Sequence, residues 1–189
     1  VLYPAVTQQA LGDFEPVMEM HFGIAPGAYA WVLPKGKGAN VGAGVSPRWA
    51  ERRAGDYFQD FVKTRGLETV GRMMGKYVPS SGPIPRSSTE RGMLVGDAAG
   101  HVIAVNGGGI PIAMICGRLA GRAAADRVNK GTPLSRYEEL CRRQVYKPLR
   151  TAVHTQWLAS FFFGSPRRLE FSMVVLGERR MGNIFRCRP

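Results

Sequence analysis

The chain has 189 residues and is strongly basic, with 26 Lys and Arg against 14 Asp and Glu and a formal net charge of +12. This length suits one or two domains, and no apolar run is long enough to span a bilayer. A surface of this charge suits an anionic partner such as acidic lipid headgroups, an acidic redox protein or nucleic acid. No nucleic-acid-binding signature accompanies the charge, so nucleic acid is not an expected partner.

The cysteines and the distribution of charge give expectations about metals and location. Cys116, Cys141 and Cys187 lack metal-ligand spacing, so no metal site is predicted. An odd cysteine count without a signal peptide favours a reducing compartment, and we expect a cytoplasmic protein. From Ser135 onward, 11 Lys and Arg stand against 4 Glu. This basic region either touches a membrane surface peripherally, or its charges solvate helices and pair with acidic groups elsewhere.

The first part of the chain predicts an antiparallel sheet. Residues 1–16 show little pattern and are predicted to be a connecting segment. Three strands separated by tight turns then form a predicted meander, at residues 17–24, 28–33 and 39–45. Residues 48–65 are predicted to form an amphipathic helix that Gly66 ends, and residues 71–78 another strand or a strand pair.

Two aromatic residues lie close together in the second of these strands. Because side chains alternate along a strand, Tyr29, Trp31 and Leu33 share one face of the sheet. A pair of aromatic rings on one face makes a flat apolar wall, which suits an elongated apolar substrate. The same pattern is also typical of ordinary core residues.

The central part of the chain predicts a binding site for a large polar cofactor. Residues 93–95 are predicted to be a short buried strand that ends at Gly96 and Asp97, and three glycines precede a long helix predicted from Ile110 to Val128. Glycine lets backbone approach a ligand closely, and a helix start offers free N–H groups. A carboxylate repels phosphate but suits hydroxyl groups, so the pattern favours a cofactor with a hydroxyl-bearing chain and a ring that gains negative charge.

The last part of the chain predicts helices. A second helix is expected at residues 132–143, capped by Thr132 or Ser135. The apolar residues 157–163 are too few to span a bilayer. They close a core, line a tunnel for an apolar chain, or rest on a membrane surface between Arg150 and the pair that follows at residues 167–168.

The central motif resembles the second flavin-binding motif of the para-hydroxybenzoate-hydroxylase-like FAD enzymes. The resemblance is carried by the Gly-Asp-Ala-Ala-Gly run at residues 96–100 and the Gly-Gly-Gly-Ile run at residues 107–110. It implies that Asp97 binds the ribityl chain and that backbone N–H groups at the glycines face the flavin ring. The implied cofactor-binding residues are Gly96, Asp97, Gly100, Gly107, Gly108, Gly109 and Ile110.

A second segment is similar to a signature of the geranylgeranyl reductases within that superfamily. The signature, Pro-x-x-Tyr-x-Trp-x-Phe-Pro, is matched from Pro26 to Pro34 except that Leu33 replaces the Phe. The resemblance extends over about residues 15–145, and relatives place a Pro where Ala104 lies. The implied substrate-binding residues are Pro26, Tyr29, Trp31, Leu33 and Pro34.

The resemblance implies an α/β fold of mixed α+β character, in which an antiparallel substrate-binding sheet is followed by part of a Rossmann-like FAD-binding domain and then by helices. The expected parts are residues 1–85 for substrate, residues 86–130 for FAD and residues 131–189 as a helical region. The phosphate-binding G-x-G-x-x-G that should open such a flavoprotein is absent from these residues. The chain is therefore expected to correspond to a carboxyl-terminal half that is inactive alone.

The activity implied by the resemblance is FAD-dependent reduction of carbon–carbon double bonds in geranylgeranyl chains, on isoprenoid glycerophospholipids. The electron donor, a ferredoxin-like protein or a reduced nicotinamide, is left open. No catalytic residue or proton donor is identified, and His101 is interpreted as structural. Arg86, after the Gly-Pro-Ile-Pro turn, faces either the cofactor phosphates or solvent. Alternative functions are a flavin-dependent aromatic hydroxylase and a non-catalytic lipid-binding module.

Overall fold

The computed structural model describes residues 2–185, with side chains described for residues 2–177. The chain divides into two compact units. The sheet unit contains residues 2–77 and 159–176, and the helical unit consists mainly of residues 78–158. Each unit has its own buried apolar clusters. The predicted combination of an antiparallel sheet followed by helices is confirmed.

The sheet unit is built on a five-stranded sheet with the strand order β2-β3-β4-β1-β5. The strands are β1 (Leu2–Leu11), β2 (Glu19–Ala25), β3 (Ala28–Pro34), β4 (Gly38–Val45) and β5 (Glu68–Pro79). Short turns join β2, β3 and β4, which pair antiparallel, and β1 pairs antiparallel with β4. The predicted meander and the strand predicted at residues 71–78 are confirmed.

The connecting segment predicted for residues 1–16 is wrong, because most of it forms β1. The ladder of β1 with β4 runs from Ala5 opposite Gly44 to Leu11 opposite Gly38. Pro4 precedes the first of these pairs, so its missing N–H costs this ladder nothing. A partner strand far along the chain therefore fixes β1.

One face of the sheet is covered by α1 (Ala54–Thr64). The helix buries an apolar stripe against small and branched residues of β1, β3 and β4. The buried cluster consists of Ala10, Ala30, Val32, Ala39, Val41, Ala43, Phe58, Phe61 and Val62. Burying such side chains stabilises the unit by about 25 cal/mol per Å² of apolar surface removed from water. Gly66 ends the helix as predicted, with a φ of 60° and its N–H bonded to Lys63 O.

The predicted start of α1 at residue 48 is wrong by six residues. The N–H groups of Trp49 and Ala50 both donate to Ser46 O, which makes tight turns rather than a helix. The helix begins after Arg53, whose backbone N–H donates to the Asp56 carboxylate at 3.1 Å. Trp49 therefore lies before the helix.

The helical unit begins with a coil and a 3-10 turn at Gly96–Ala99, and a loop then leads to α2 (Ile110–Lys130). The segments α3 (Arg136–Cys141), a π-helical turn (Arg142–Tyr146) and α4 (Lys147–Phe163) follow as one continuous helical stretch. The last helix, α5 (Pro166–Phe185), is interrupted at Gly177, whose backbone is non-helical. The helix predicted at residues 110–128 is confirmed.

Two local predictions in this unit are wrong. The strand predicted at residues 93–95 is reduced to one bridge, between Met93 and Ser88, because no described strand lies alongside to form a ladder. The helix predicted from residue 132 begins only at Arg136, and the Ser135 side chain makes no capping hydrogen bond. The chain already turns before that point, since Arg136 N–H donates to Pro133 O.

The apolar stretch at residues 157–163 lies on α4 and is not a closed core. Trp157, Leu158 and Phe161 are exposed to 71%, 60% and 59% in the part of the chain that the structure describes, whereas Phe162 and Phe163 are half-buried. Among the described helices, none combines the length and apolar character needed to cross a bilayer.

Candidate functional site

The predicted cofactor turn is a tight structure that depends on glycine at two positions. Gly96 and Gly100 both have a φ of 66°, in the left-handed region that favours glycine. Two hydrogen bonds close the turn, from Gly100 N–H to Asp97 O and from His101 N–H to Gly96 O, each 3.0 Å. A Cβ at Gly100 would collide with the backbone of Gly82, so the turn packs directly on the Gly-Pro-Ile-Pro segment.

The loop between this turn and α2 holds its own glycines in place. Gly107 has a φ of 70°, and its N–H donates to Ile103 O at 2.9 Å. The N–H of Gly108 donates to the side chain of Asn106 at 2.8 Å. These two N–H groups are engaged within the loop, Pro111 has no N–H, and the Ala113 N–H donates to Gly109 O. The start of α2 therefore offers a ligand the N–H groups of Gly109 and Ile110.

The two halves of the predicted motif come together in the structure. A Cβ added at Gly109 would lie 3.2 Å from Asp97 Oδ1, so the carboxylate reaches the start of α2. Asp97 is half-buried, and Ile110, the first helical residue, is 78% exposed. An open helix start with positive dipole character, next to a carboxylate and glycine backbone, fits a ligand that combines hydroxyl groups with an electron-rich ring edge.

The predicted substrate wall lies on the face of β3 opposite the core. Ala28, Ala30 and Val32 of β3 point into the buried clusters. Tyr29 and Trp31 alternate with them and belong to none of these clusters; their ring centroids are 5.8 Å apart. The aromatic pair therefore forms a surface on the other side of the sheet from α1.

Two glycines of β4 provide the platform on which these rings lie. Tyr29 is opposite Gly44 and Trp31 is opposite Gly42 in the ladder. A Cβ would lie 3.0 Å from Tyr29 Cε1 at Gly44 and 2.5 Å from Trp31 Cε2 at Gly42. The rings consequently lie directly over the glycine backbone, where a side chain at Gly42 would overlap the indole and one at Gly44 would crowd the Tyr29 ring.

A hydrogen bond orients the Trp31 ring, and burial determines the protonation state of Tyr29. The indole N–H of Trp31 donates to Asn40 Oδ1 at 3.0 Å, which fixes the ring orientation. Burial raises the pKa of the Tyr29 hydroxyl above its usual value of 10.0, so this group is protonated at physiological pH. The wall is thus apolar on its face and carries no charge.

The other predicted substrate residues lie at the two ends of β3. Pro26 is exposed in the β2–β3 turn. Its neighbour Gly27 donates its N–H to Phe163 O at 2.8 Å. At the opposite end, Leu33 and Pro34 help line an open pocket of about 480 Å³. The ends of the signature are therefore turn and pocket residues, and its two aromatic members form the wall.

Four supporting residues were missed by the sequence prediction. Gly42 and Gly44 underlie the rings, Asn40 orients one of them, and Asn106 holds the Gly108 backbone. The Gly-x-Gly spacing in β4 is the signal that could have indicated the platform, since period two places both glycines under one face. The two asparagine roles depend on side-chain geometry and leave no pattern in the sequence.

The fold is one that flavin-dependent enzymes share. A geranylgeranyl bacteriochlorophyll reductase-like protein from Thermoplasma acidophilum matches with a TM-score of 0.74 over 86% of this chain and 43% of that chain, at 24% identity. A probable FAD-dependent monooxygenase from Pseudomonas aeruginosa matches with a TM-score of 0.60 over 88% of this chain and 50% of that chain, at 14% identity. At such identities the likeness establishes the architecture.

Sequence comparison identifies a more specific group of similar proteins. Residues 6–77 match the model of the geranylgeranyl reductase catalytic domain. A digeranylgeranylglycerophospholipid reductase from Methanothermobacter thermautotrophicus is 41% identical over 146 residues, which cover 72% of this chain and 38% of the relative. One from Methanococcus aeolicus is 34% identical over 146 residues, which cover 70% of this chain and 36% of the relative. Over about seven tenths of its length the chain is therefore similar to members of the geranylgeranyl reductase family, and it spans well under half the length of these curated relatives.

Proposed function

We propose that the complete gene product carrying this chain is an FAD-dependent enzyme that reduces carbon–carbon double bonds of geranylgeranyl chains on isoprenoid glycerophospholipids. The observation that carries the proposal is the uncharged aromatic wall on a glycine platform, on the sheet face opposite the core. Relatives named as digeranylgeranylglycerophospholipid reductases support the choice of lipid.

The cofactor residues of the proposal lie in the helical unit. The Asp97 carboxylate would accept hydrogen bonds from hydroxyl groups of the ribityl chain. The left-handed backbone at Gly96 and Gly100 would hold the tight turn that places the Asp97 carboxylate beside the start of α2. The start of α2 would direct its dipole and the N–H groups of Gly109 and Ile110 at the ring edge that becomes negative on reduction. When bound, FAD supplies the two electrons that reduce a double bond.

The substrate residues of the proposal act by holding an apolar chain and excluding water. An isolated double bond in a prenyl chain offers no polar handle, so positioning is the main means of catalysis left to the protein. Tyr29 and Trp31 would pack against the chain, and Asn40 would keep the indole in place. Leu33 and Pro34 would extend the apolar surface at the end of β3.

The proposal also includes the surroundings of the enzyme. A membrane lipid substrate and the basic region from Ser135 onward favour a cytoplasmic protein that touches the membrane surface peripherally. The same positive charge suits an acidic ferredoxin-like electron donor, and a reduced nicotinamide is the alternative donor. Replacing one donor by the other in the turnover assay distinguishes them.

The wall is tested with Trp31→Ala in the complete gene product. Removing a buried aromatic contact should lower kcat/KM for a geranylgeranyl lipid, which corresponds to a loss of about 2–4 kcal/mol in transition-state stabilisation. The FAD content should stay unchanged, because the proposed flavin contacts lie on other segments. Single-turnover oxidation of reduced flavin by the lipid is the measurement. Trp31→Phe should restore part of the activity.

A matched control for this test is Tyr77→Ala, which removes an aromatic residue that is 64% exposed on β5. Normal lipid turnover in Trp31→Ala would refute the wall as the substrate surface. A colourless wild-type protein would instead favour the non-catalytic lipid-binding module, and oxidation of a phenolic substrate would favour the aromatic hydroxylase.

A further inference from the structure

Three buried side chains with metal-binding donor atoms converge inside the helical unit. His101 follows the glycine turn, Cys116 lies on α2 and Cys141 ends α3. All three are fully buried, and one donor atom from each lies within 4.8 Å of the other two. The two Sγ atoms are 3.9 Å apart. The cysteine spacing along the chain gave no sign of a metal site, because the three residues come from different segments.

The histidine in this cluster has no evident structural role for its polar atoms. Both ring nitrogens of His101 are buried and lack a hydrogen-bond partner among the described residues. Buried polar atoms are normally paired, so an imidazole with two unpaired nitrogens requires an explanation. Its ring packs beside Tyr146, at a centroid distance of 6.0 Å. The apolar cluster of α2, α3 and the start of α4 surrounds the two thiols.

The donor set and its spacing match a particular class of ion. Two thiolates each about 2.3 Å from one zinc ion stand about 3.8 Å apart in tetrahedral geometry, close to the separation of the two sulfur atoms. Sulfur with imidazole nitrogen is a soft donor set that selects Zn²⁺ or Cu⁺ over Mg²⁺ or Ca²⁺. Two thiolates also neutralise a divalent cation, which lowers the cost of burying its charge.

We propose that His101, Cys116 and Cys141 form a structural site for one thiophilic d¹⁰ cation, Zn²⁺ or Cu⁺. The ion ties three segments together at one point. His101 is the residue directly after Gly100, and its backbone N–H closes the glycine turn through Gly96 O. A metal at His101 therefore anchors the turn to α2 and α3, independently of which cofactor the turn binds.

The site is tested by measuring metal bound to the complete gene product. The protein is purified anaerobically with a thiol reductant, stripped with a chelator and titrated separately with Zn²⁺ and with Cu⁺. We expect one equivalent of one of the two ions to bind and to raise Tm. Co²⁺ offered in place of Zn²⁺ should give the thiolate-to-cobalt charge-transfer absorption of a sulfur-ligated site.

Variants assign the ligands. Cys116→Ser, Cys141→Ser and His101→Gln should each weaken binding at least about tenfold, whereas Cys187→Ser, a cysteine outside the described residues, should bind normally. Circular dichroism of each stripped variant separates loss of metal from loss of fold, and the wild-type titration holds even if a variant does not fold. Wild-type protein that binds neither ion, or unchanged affinity in all three ligand variants, would overturn the site. A Cys116–Cys141 disulfide in the anaerobically purified protein would do the same.

Discussion

A single methyl group under the aromatic wall should disturb both the sheet and its proposed activity. In Gly42→Ala, the new Cβ would lie 2.5 Å from Trp31 Cε2 and 2.6 Å from the carbonyl oxygen of Val6. Non-bonded carbons normally approach to about 3.5–4.0 Å, so the indole, whose Cζ2 atom is closer still to the new Cβ, must retreat by more than about 1 Å. Val6 O belongs to the backbone of β1 and cannot retreat without disturbing the ladder.

The expected magnitude follows from this overlap. Overpacking of this kind costs about 1–3 kcal/mol of folding stability, and the displaced indole loses its 3.0 Å hydrogen bond to Asn40. A misplacement of about 1 Å can lower a rate about 100-fold, so kcat/KM for a geranylgeranyl lipid should fall by about 10- to 100-fold while bound FAD stays constant. Urea unfolding and single-turnover flavin oxidation are the two measurements.

The control for this prediction is Gly44→Ala, where the nearest atom, Tyr29 Cε1, is 3.0 Å from the new Cβ and smaller adjustments suffice. It should lose less stability and less turnover than Gly42→Ala. Trp31→Phe added to Gly42→Ala should recover part of the stability, because the smaller ring relieves the overlap. Wild-type stability and turnover in Gly42→Ala would refute the platform.

Three further changes test other parts of the site. Asp97→Ala should weaken FAD binding about ten- to more than hundredfold, the loss expected for one charge-assisted hydrogen bond, as measured by flavin titration. Asn40→Leu should cost about 1 kcal/mol in urea unfolding and alter the fluorescence of Trp31. Burial raises the pKa of Glu138, but hydrogen bonds from Ser88 Oγ and from two backbone N–H groups lower it overall below its usual 4.5. The charged Glu138 side chain therefore stabilises the folded protein above about pH 4.5, and this contribution is lost as the pH falls through the lowered pKa. Glu138→Gln should accordingly destabilise the protein most at neutral pH and least in acid.

Each of these changes has an outcome that contradicts it. An unchanged flavin dissociation constant would remove Asp97 from the cofactor site. Stability and fluorescence equal to wild type would show that Asn40 does not orient the indole. If the stability difference between Glu138→Gln and wild type stays constant from neutral to acidic pH, the carboxylate does not hold the loop at Ser87 and Ser88 in its charged form.

The features predicted correctly from the sequence are marked by patterns among residues that lie close together along the chain. The meander is marked by alternating residues and Pro-Gly or Lys-Gly turns, and α2 is marked by a glycine run before a helical stretch. β1 was missed because its partner lies far along the chain, opposite Gly38 to Gly44. The start of α1 was predicted too early because Trp49 fits a helical pattern but is held in turns by Ser46 O.

The positions of the candidate site residues were predictable to a similar extent. Both motif blocks were recognised by residue type, and the structure places Asp97 beside Gly109 as the spacing suggested. The engagement of the Gly108 N–H by Asn106 was not predictable, because it depends on one side-chain rotamer. Nor was the meeting of His101 with two cysteines, since spacing along a chain says little about residues brought together by packed helices.

The π-helical turn at Arg142–Tyr146 determines the direction in which the side chains of α4 point. Each residue advances an α-helix by about 100°, so the additional residue of a wide turn rotates the downstream segment by about that angle. Deleting one residue there would leave a regular helix whose later side chains point elsewhere, which would carry Leu149 and Ala152 out of the interior. The Gln156 amide would likewise lose its 3.0 Å bond to Ala104 O, and with it a tie to the loop before α2. One additional residue in this turn thus rotates the rest of the helix about its axis, which no substitution can do.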